Sequence, residues 1–173
     1  MKKLFFLLTA IVALIPAGQA TTVIAPTFDE LVDQAELIFQ GKVTDVRSMW
    51  AGEGGQRHIV SYVTFQIEDS LKGDSGQSYT IRMLGGTVDG ETMEISDAPK
   101  FAVGDKDILF VQNNGSQFIP LVGIMHGRFH VQHDQSGRDS VLTNEGEEVN
   151  DLTQFKASVR TKMATSAGQS AIR

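Results

Sequence analysis

The sequence predicts a mainly β fold, an antiparallel barrel or sandwich of about seven strands with an amphipathic helix near each end. Three observations lead there. Runs of period-two alternation recur along the chain, Gly- and Asn-rich turns separate them, and no helical crossover lies between consecutive strands. Helical spacing is confined to two short segments, one before the first strand and one after the last.

Residues 1–20 precede that pattern and read as a cleavable secretory signal. Lys2 and Lys3 supply the charge, residues 4–16 are apolar apart from Thr9, and Ala17-Gly18-Gln19-Ala20 offers small residues for cleavage. Thirteen residues are too few for a membrane span, which needs ~20. Cleavage after Ala20 leaves Thr21 at the amino terminus and a periplasmic or secreted protein. Residues 21–163 then form one β-rich domain, and 164–173 form a small, polar, flexible tail.

Thr27 and Glu30 have the spacing of a capping box, and Phe28, Leu31, Val32 and Ala35 share one face, which predicts a helix over 28–36. The period changes to two at Leu37, Phe39, Gly41 and Val43, predicting a strand over 37–46. Residues 48–56, with Gly52, Gly54 and Gly55, read as a loop. Ile59, Val63, Phe65 and Ile67 line one face of a second strand, and Tyr79, Ile81 and Met83 one face of a third. Asp89-Gly90 has the chemistry of a tight hairpin turn. Residues 107–112 form an apolar strand, and Asn113-Asn114-Gly115 leads from it into a strand over 118–124, at an edge or with a bulge because of Pro120. A last hairpin joins 127–133 to 139–143. Asn150 or Asp151 caps a final helix with Leu152, Phe155, Val159 and Met163 on one stripe.

Composition excludes several function classes. The sequence has 15 Lys and Arg, two of them in the signal, against 21 Asp and Glu, all beyond it, so the exported part carries a net −8. That balance offers nothing to displace phosphate counterions, which argues against nucleic acid as a partner. With no cysteine, disulfides, thiolate metal sites and thiol catalysis are excluded.

The chemical motifs are sparse. Gly73-Asp74-Ser75-Gly76 has the form of a serine-protease nucleophile loop, but His58 lies only 17 residues upstream in the same hairpin, and the residues suit a turn. His126, His130 and His133 are the one histidine cluster. On a strand, His126 and His130 share a face ~13 Å apart and His133 points away, so the strand alone cannot hold one zinc ion. Asp134, Ser136, Asp139 and Glu145 fail the calcium-loop pattern at Arg138 and Asp139. Gly85-Gly86 lacks the helix that a phosphate cradle needs. No catalytic residue, metal ligand set or cofactor is assigned. Binding candidates are Trp50 in the Gly-rich loop and the trio His126, Arg128 and His130.

The runs Ala35-Glu36-Leu37-Ile38-Phe39-Gln40-Gly41-Lys42-Val43 and Val63-Thr64-Phe65-Gln66-Ile67-Glu68-Asp69-Ser70-Leu71-Lys72-Gly73 resemble netrin-like modules. So do residues 79–83, and Phe101-Ala102-Val103-Gly104 running into Ile108-Leu109-Phe110-Val111. These are the oligonucleotide/oligosaccharide-type barrels to which tissue inhibitors of metalloproteinases belong. The whole chain also resembles an uncharacterised family of secreted bacterial proteins. The netrin-like resemblance implies a barrel and, for function, regulation of a secreted protease. The zinc-chelating amino-terminal cysteine of those inhibitors has no counterpart at Thr21, so that mechanism is not carried over. The residues themselves point to a non-enzymatic module that binds another envelope or secreted macromolecule, with a glycan as the lesser partner class. A metal-dependent hydrolase around His126 or His130 is the enzymatic alternative.

Overall fold

A computed structural model describes residues 25–170; the signal predicted over residues 1–20 lies outside them. The fold is mainly β. Seven strands form one antiparallel sheet in the order β3-β2-β1-β6-β7-β8-β9, and β4 and β5 form a small second sheet. In chain order these are α1 (Phe28–Gln34), β1 (Leu37–Ala51), β2 (His58–Lys72), β3 (Ser78–Leu84), β4 (Gly86–Val88), β5 (Glu91–Met93), β6 (Lys106–Val111), β7 (Arg128–His133), β8 (Asp139–Leu142), β9 (Glu148–Asp151) and α2 (Leu152–Ser170). The large sheet is open, with β3 and β9 as its edges and no pairing between them among the described residues.

Two apolar layers cover opposite faces of the sheet, and the strand pleat assigns residues to them alternately. Ile38, Ile108, Phe110, Phe129, Val131 and Val141 face the helices, where Leu31, Val32, Phe155 and Val159 close over them. Phe39, Val43, Val63, Phe65, Ile81 and Leu109 face the other way, under the loops that carry Phe101, Ile119 and Leu121. Central positions are therefore buried on both sides, which is why residues 108–111 read as a continuous apolar run.

The capping box forms as the sequence predicts: Glu30 N–H donates to Thr27 Oγ1 at 3.3 Å, and Thr27 N–H donates to Glu30 Oε2 at 2.7 Å. Phe155 anchors α2, with its ring 4.8 Å from Phe129 and 5.6 Å from Phe28. Asp69 pairs with Lys156 and Arg160, each at 2.9 Å, and Lys162 lies 3.1 Å from both Asp29 and Asp33. The Asp89-Gly90 turn also forms, with φ of 52° and 83°, both left-handed as a two-residue hairpin requires.

Four segments differ from the sequence expectation. The strand predicted to end at 46 continues to Ala51, because residues 48–51 pair with 58–61 on β2. That places Trp50 on a strand rather than in a loop. No strand forms over 118–124: a single bridge joins Leu121 to Val111, and the chain turns over 122–127. Pro120 has no N–H to donate, and this stretch feeds Leu121 and Val122 into opposite cores. An unforeseen strand, β9, pairs with β8. Lastly, the segment expected as a flexible tail continues α2 to Ser170, tied down where Ser166 Oγ donates to Asp33 Oδ1 at 3.0 Å.

Phe155→Ala would leave a void where three aromatic rings meet and is expected to cost about 3–5 kcal/mol of unfolding free energy in urea titration. A loss under about 1 kcal/mol would contradict the packing of α2 around this ring.

Candidate functional site

A cleft of about 620 Å³ lies between the sheet and a roof formed by the β4–β5 hairpin and residues 94–101. Val46, Ser48, Ser61, Val63 and Met83 from β1, β2 and β3 make the floor; Met93, Ile95 and Phe101 face them from above.

Gly86 fixes how closely the roof approaches. A Cβ at this residue would lie 2.3 Å from Ser61 Oγ and 2.4 Å from Ser48 Oγ. Only glycine lets β4 sit directly on the serine pair, so Gly85-Gly86 is more than the turn signal read from sequence. The serine hydrogens are committed by a short chain. Ser61 donates its one hydroxyl hydrogen to Gly85 O at 2.7 Å, so across the 2.8 Å Ser48–Ser61 contact Ser48 must be the donor. Each hydroxyl thus spends its hydrogen on a neighbour in the floor.

The far wall of the cleft is held by a buried ionic cluster. Asp107, fully buried at the start of β6, accepts from Arg128 Nε at 2.9 Å and Nη2 at 3.2 Å. The same guanidinium donates to Asp105 Oδ2 at 3.1 Å and to Lys100 O at 2.6 Å, and stacks 4.4 Å from the centre of the Phe101 ring. Phe101 in turn packs edge-on against Phe65. One arginine on β7 therefore ties β6 to the segment that carries Lys100 and Phe101 into the cleft.

His130, two residues along β7, places Nδ1 3.1 Å from Asp107 Oδ1. That hydrogen bond holds its imidazole above the usual histidine range, against a smaller opposing effect of partial burial.

The sequence candidates are dispersed. Arg128 and His130 meet at Asp107, but Arg128 is spent inside the fold rather than offered to a ligand. His126 lies in the turn before β7 and lines a separate groove with Pro26 and Phe28. Trp50 is on β1 with the Arg57 guanidinium 3.9 Å from its ring centre. His133 faces Asp139 at 2.7 Å. Among the described residues no group of three or more His, Asp and Glu side chains is placed to hold a metal ion. Asp134 does close a loop, but on itself: Oδ1 accepts from the hydroxyl and N–H of Ser136 and from Arg138 N–H, holding this carboxyl down at about 2. Ser75 of the Gly-Asp-Ser-Gly turn is buried, with no hydrogen-bond partner for its hydroxyl among the described residues.

Sequence reasoning missed Asp105, Asp107 and Phe101. The available signal was a charged residue directly preceding the apolar run 108–111, where burial demands a partner.

Arg128→Met would strand the Asp107 carboxylate and is expected to cost about 3–5 kcal/mol in urea unfolding, where an exposed ion pair would cost under 1. For His130 the folded pKa exceeds the unfolded one, so its stabilisation is complete below about pH 6.5 and is lost as pH rises through the raised value. Unfolding free energy should therefore fall as pH rises above about 6.5 in the wild type, and His130→Gln should flatten that slope. Equal slopes in the two proteins would rule out the His130–Asp107 linkage.

A scan of protein-family models finds no match to this chain, and a search of curated proteins finds none.

Proposed function

We propose that this chain is a periplasmic or secreted binding module, without catalysis, that holds an apolar group of another envelope or secreted macromolecule in the cleft beneath the β4–β5 hairpin. The observation that carries this reading is the cleft: about 620 Å³, within the ~300–1,000 Å³ usual for ligand sites, and lined by Val46, Val63, Met83, Met93, Ile95 and Phe101. Methionine side chains on floor and roof suit a surface that adapts to its guest. The floor hydroxyls support binding over reaction, since Ser61 gives its hydrogen to a backbone carbonyl rather than to a base. A rim ion pair, Lys100 to Glu94 at 3.0 Å, leaves the mouth polar around an apolar interior, the arrangement of a recognition site. Export follows from the signal-like order of residues 1–20.

The test compares mature wild type with Val46→Trp as baits against the native secretome and periplasm. Val46 is only partly buried on a strand, so an aromatic residue is tolerated there while its ring fills the cleft. A partner retained by wild type and lost with Val46→Trp, at unchanged melting temperature, is the expected result. Equal retention by both baits would remove the cleft from the function.

A further inference from the structure

The β9 edge has the features of a second docking site. Among the described residues β9 pairs with β8 alone, with a bulge that leaves Val149 out of register, and Asp151 N–H is taken by Asn150 Oδ1 at 2.9 Å, so the open edge is Glu148–Asn150. Val149 is 48% exposed on this edge and also forms part of a separate groove of about 220 Å³ with Phe28, Phe129, Phe155 and His126. That groove has room for about one apolar side chain beside a free strand edge, the pairing that β-strand addition uses: main-chain bonds for affinity and a pocket for alternate side chains.

The charge around the edge selects the occupant. Glu145, Glu147 and Glu148 are exposed along and before β9, and Asp151 ends it. Two β9 edges brought together would set these carboxylates against each other, so a second copy of the chain is disfavoured. At the opposite edge, the segment after β6 seals β3: Arg82 N–H donates to Asn114 Oδ1 at 3.0 Å and Leu84 N–H to Phe118 O at 2.7 Å.

We propose that β9 accepts an extended segment of another protein in which basic residues alternate with apolar ones, the strand pairing along Glu148–Asn150 and one apolar side chain entering the groove beside Val149. The groove shares no lining residue with the cleft, although Arg128, which holds the cleft wall, also borders it.

The probe is a labelled peptide, acetyl-Lys-Val-Lys-Leu-Lys-Val-Lys-amide, titrated by fluorescence anisotropy against the mature protein. Saturable binding that weakens with salt is expected, with amide shifts at 148–150 and at the groove. The Glu145→Lys/Glu147→Lys variant alters two exposed side chains and should weaken binding roughly tenfold or more with an unchanged melting temperature. Val149→Ser, which removes the apolar wall, should weaken it as well. Val46→Trp should bind as wild type does, which separates this site from the cleft. Equal binding by the charge-reversed variant, equal binding of the same peptide with Glu in place of Lys, or amide shifts confined elsewhere would each overturn the proposal. So would dimerisation of the wild type that Val149→Ser abolishes while no peptide binds.

Discussion

The Arg128–Asp107 pair is the constraint on which the candidate site depends. An isolated carboxylate as deeply buried as Asp107 is costly, and only a bidentate partner with further hydrogen bonds offsets it. Arg128 meets that need and has donors left over, which reach Asp105, Lys100 O and the face of Phe101. The hydrogen bonds that satisfy one buried charge thus also fix the wall of the cleft, on the loop that carries Lys100 and Phe101. Val43 N–H to Asp105 O and Gly104 N–H to Val43 O fasten the same loop to β1. A hydrophobic pair at Arg128 and Asp107 would bury similar area, but would leave Lys100 and Phe101 without their link to β7.

Much of the architecture is legible in the sequence because local signals agree with the tertiary ones. Thr27 and Glu30 specify a cap that needs no distant partner, and Asp89-Gly90 specifies a turn through its backbone preferences alone. The period-two runs of β1, β2 and β3 are likewise readable, since one of their faces is solvated over much of their length. Sequence reading fails where the partner lies far away. Residues 48–51 become strand only because β2 begins opposite them. Residues 118–124 look like a strand by composition, yet they bridge two cores by turning. Nothing in the tail beyond Met163 announces Asp33, 133 residues before Ser166 and the residue that holds it.

The site is less legible than the fold for the same reason. Histidines and the lone tryptophan attract attention in a sequence, whereas the cleft is built from Gly86, two serines and ordinary apolar residues that mean little until three strands converge. Arg128 stands out in the sequence as a binding candidate, and its role is to hold the wall. Asp107 looks like the polar start of an apolar strand. The acidic balance read from composition keeps its meaning at the surface, where the glutamates around β9 set the charge of an open edge.

The link from ion cluster to cleft is most directly tested by hydrogen exchange at residues 94–105 in wild type and Arg128→Lys. Lysine keeps the charge opposite Asp107 but loses the planar fork that reaches Asp105 and Lys100 O. Faster exchange at Ala102, Gly104 and Asp105, with protection of the β1–β2 ladder unchanged, is the expected result. Identical exchange of the loop in both proteins would mean that the cleft wall stands without the guanidinium, and the dependence of the cleft on Arg128 would be refuted.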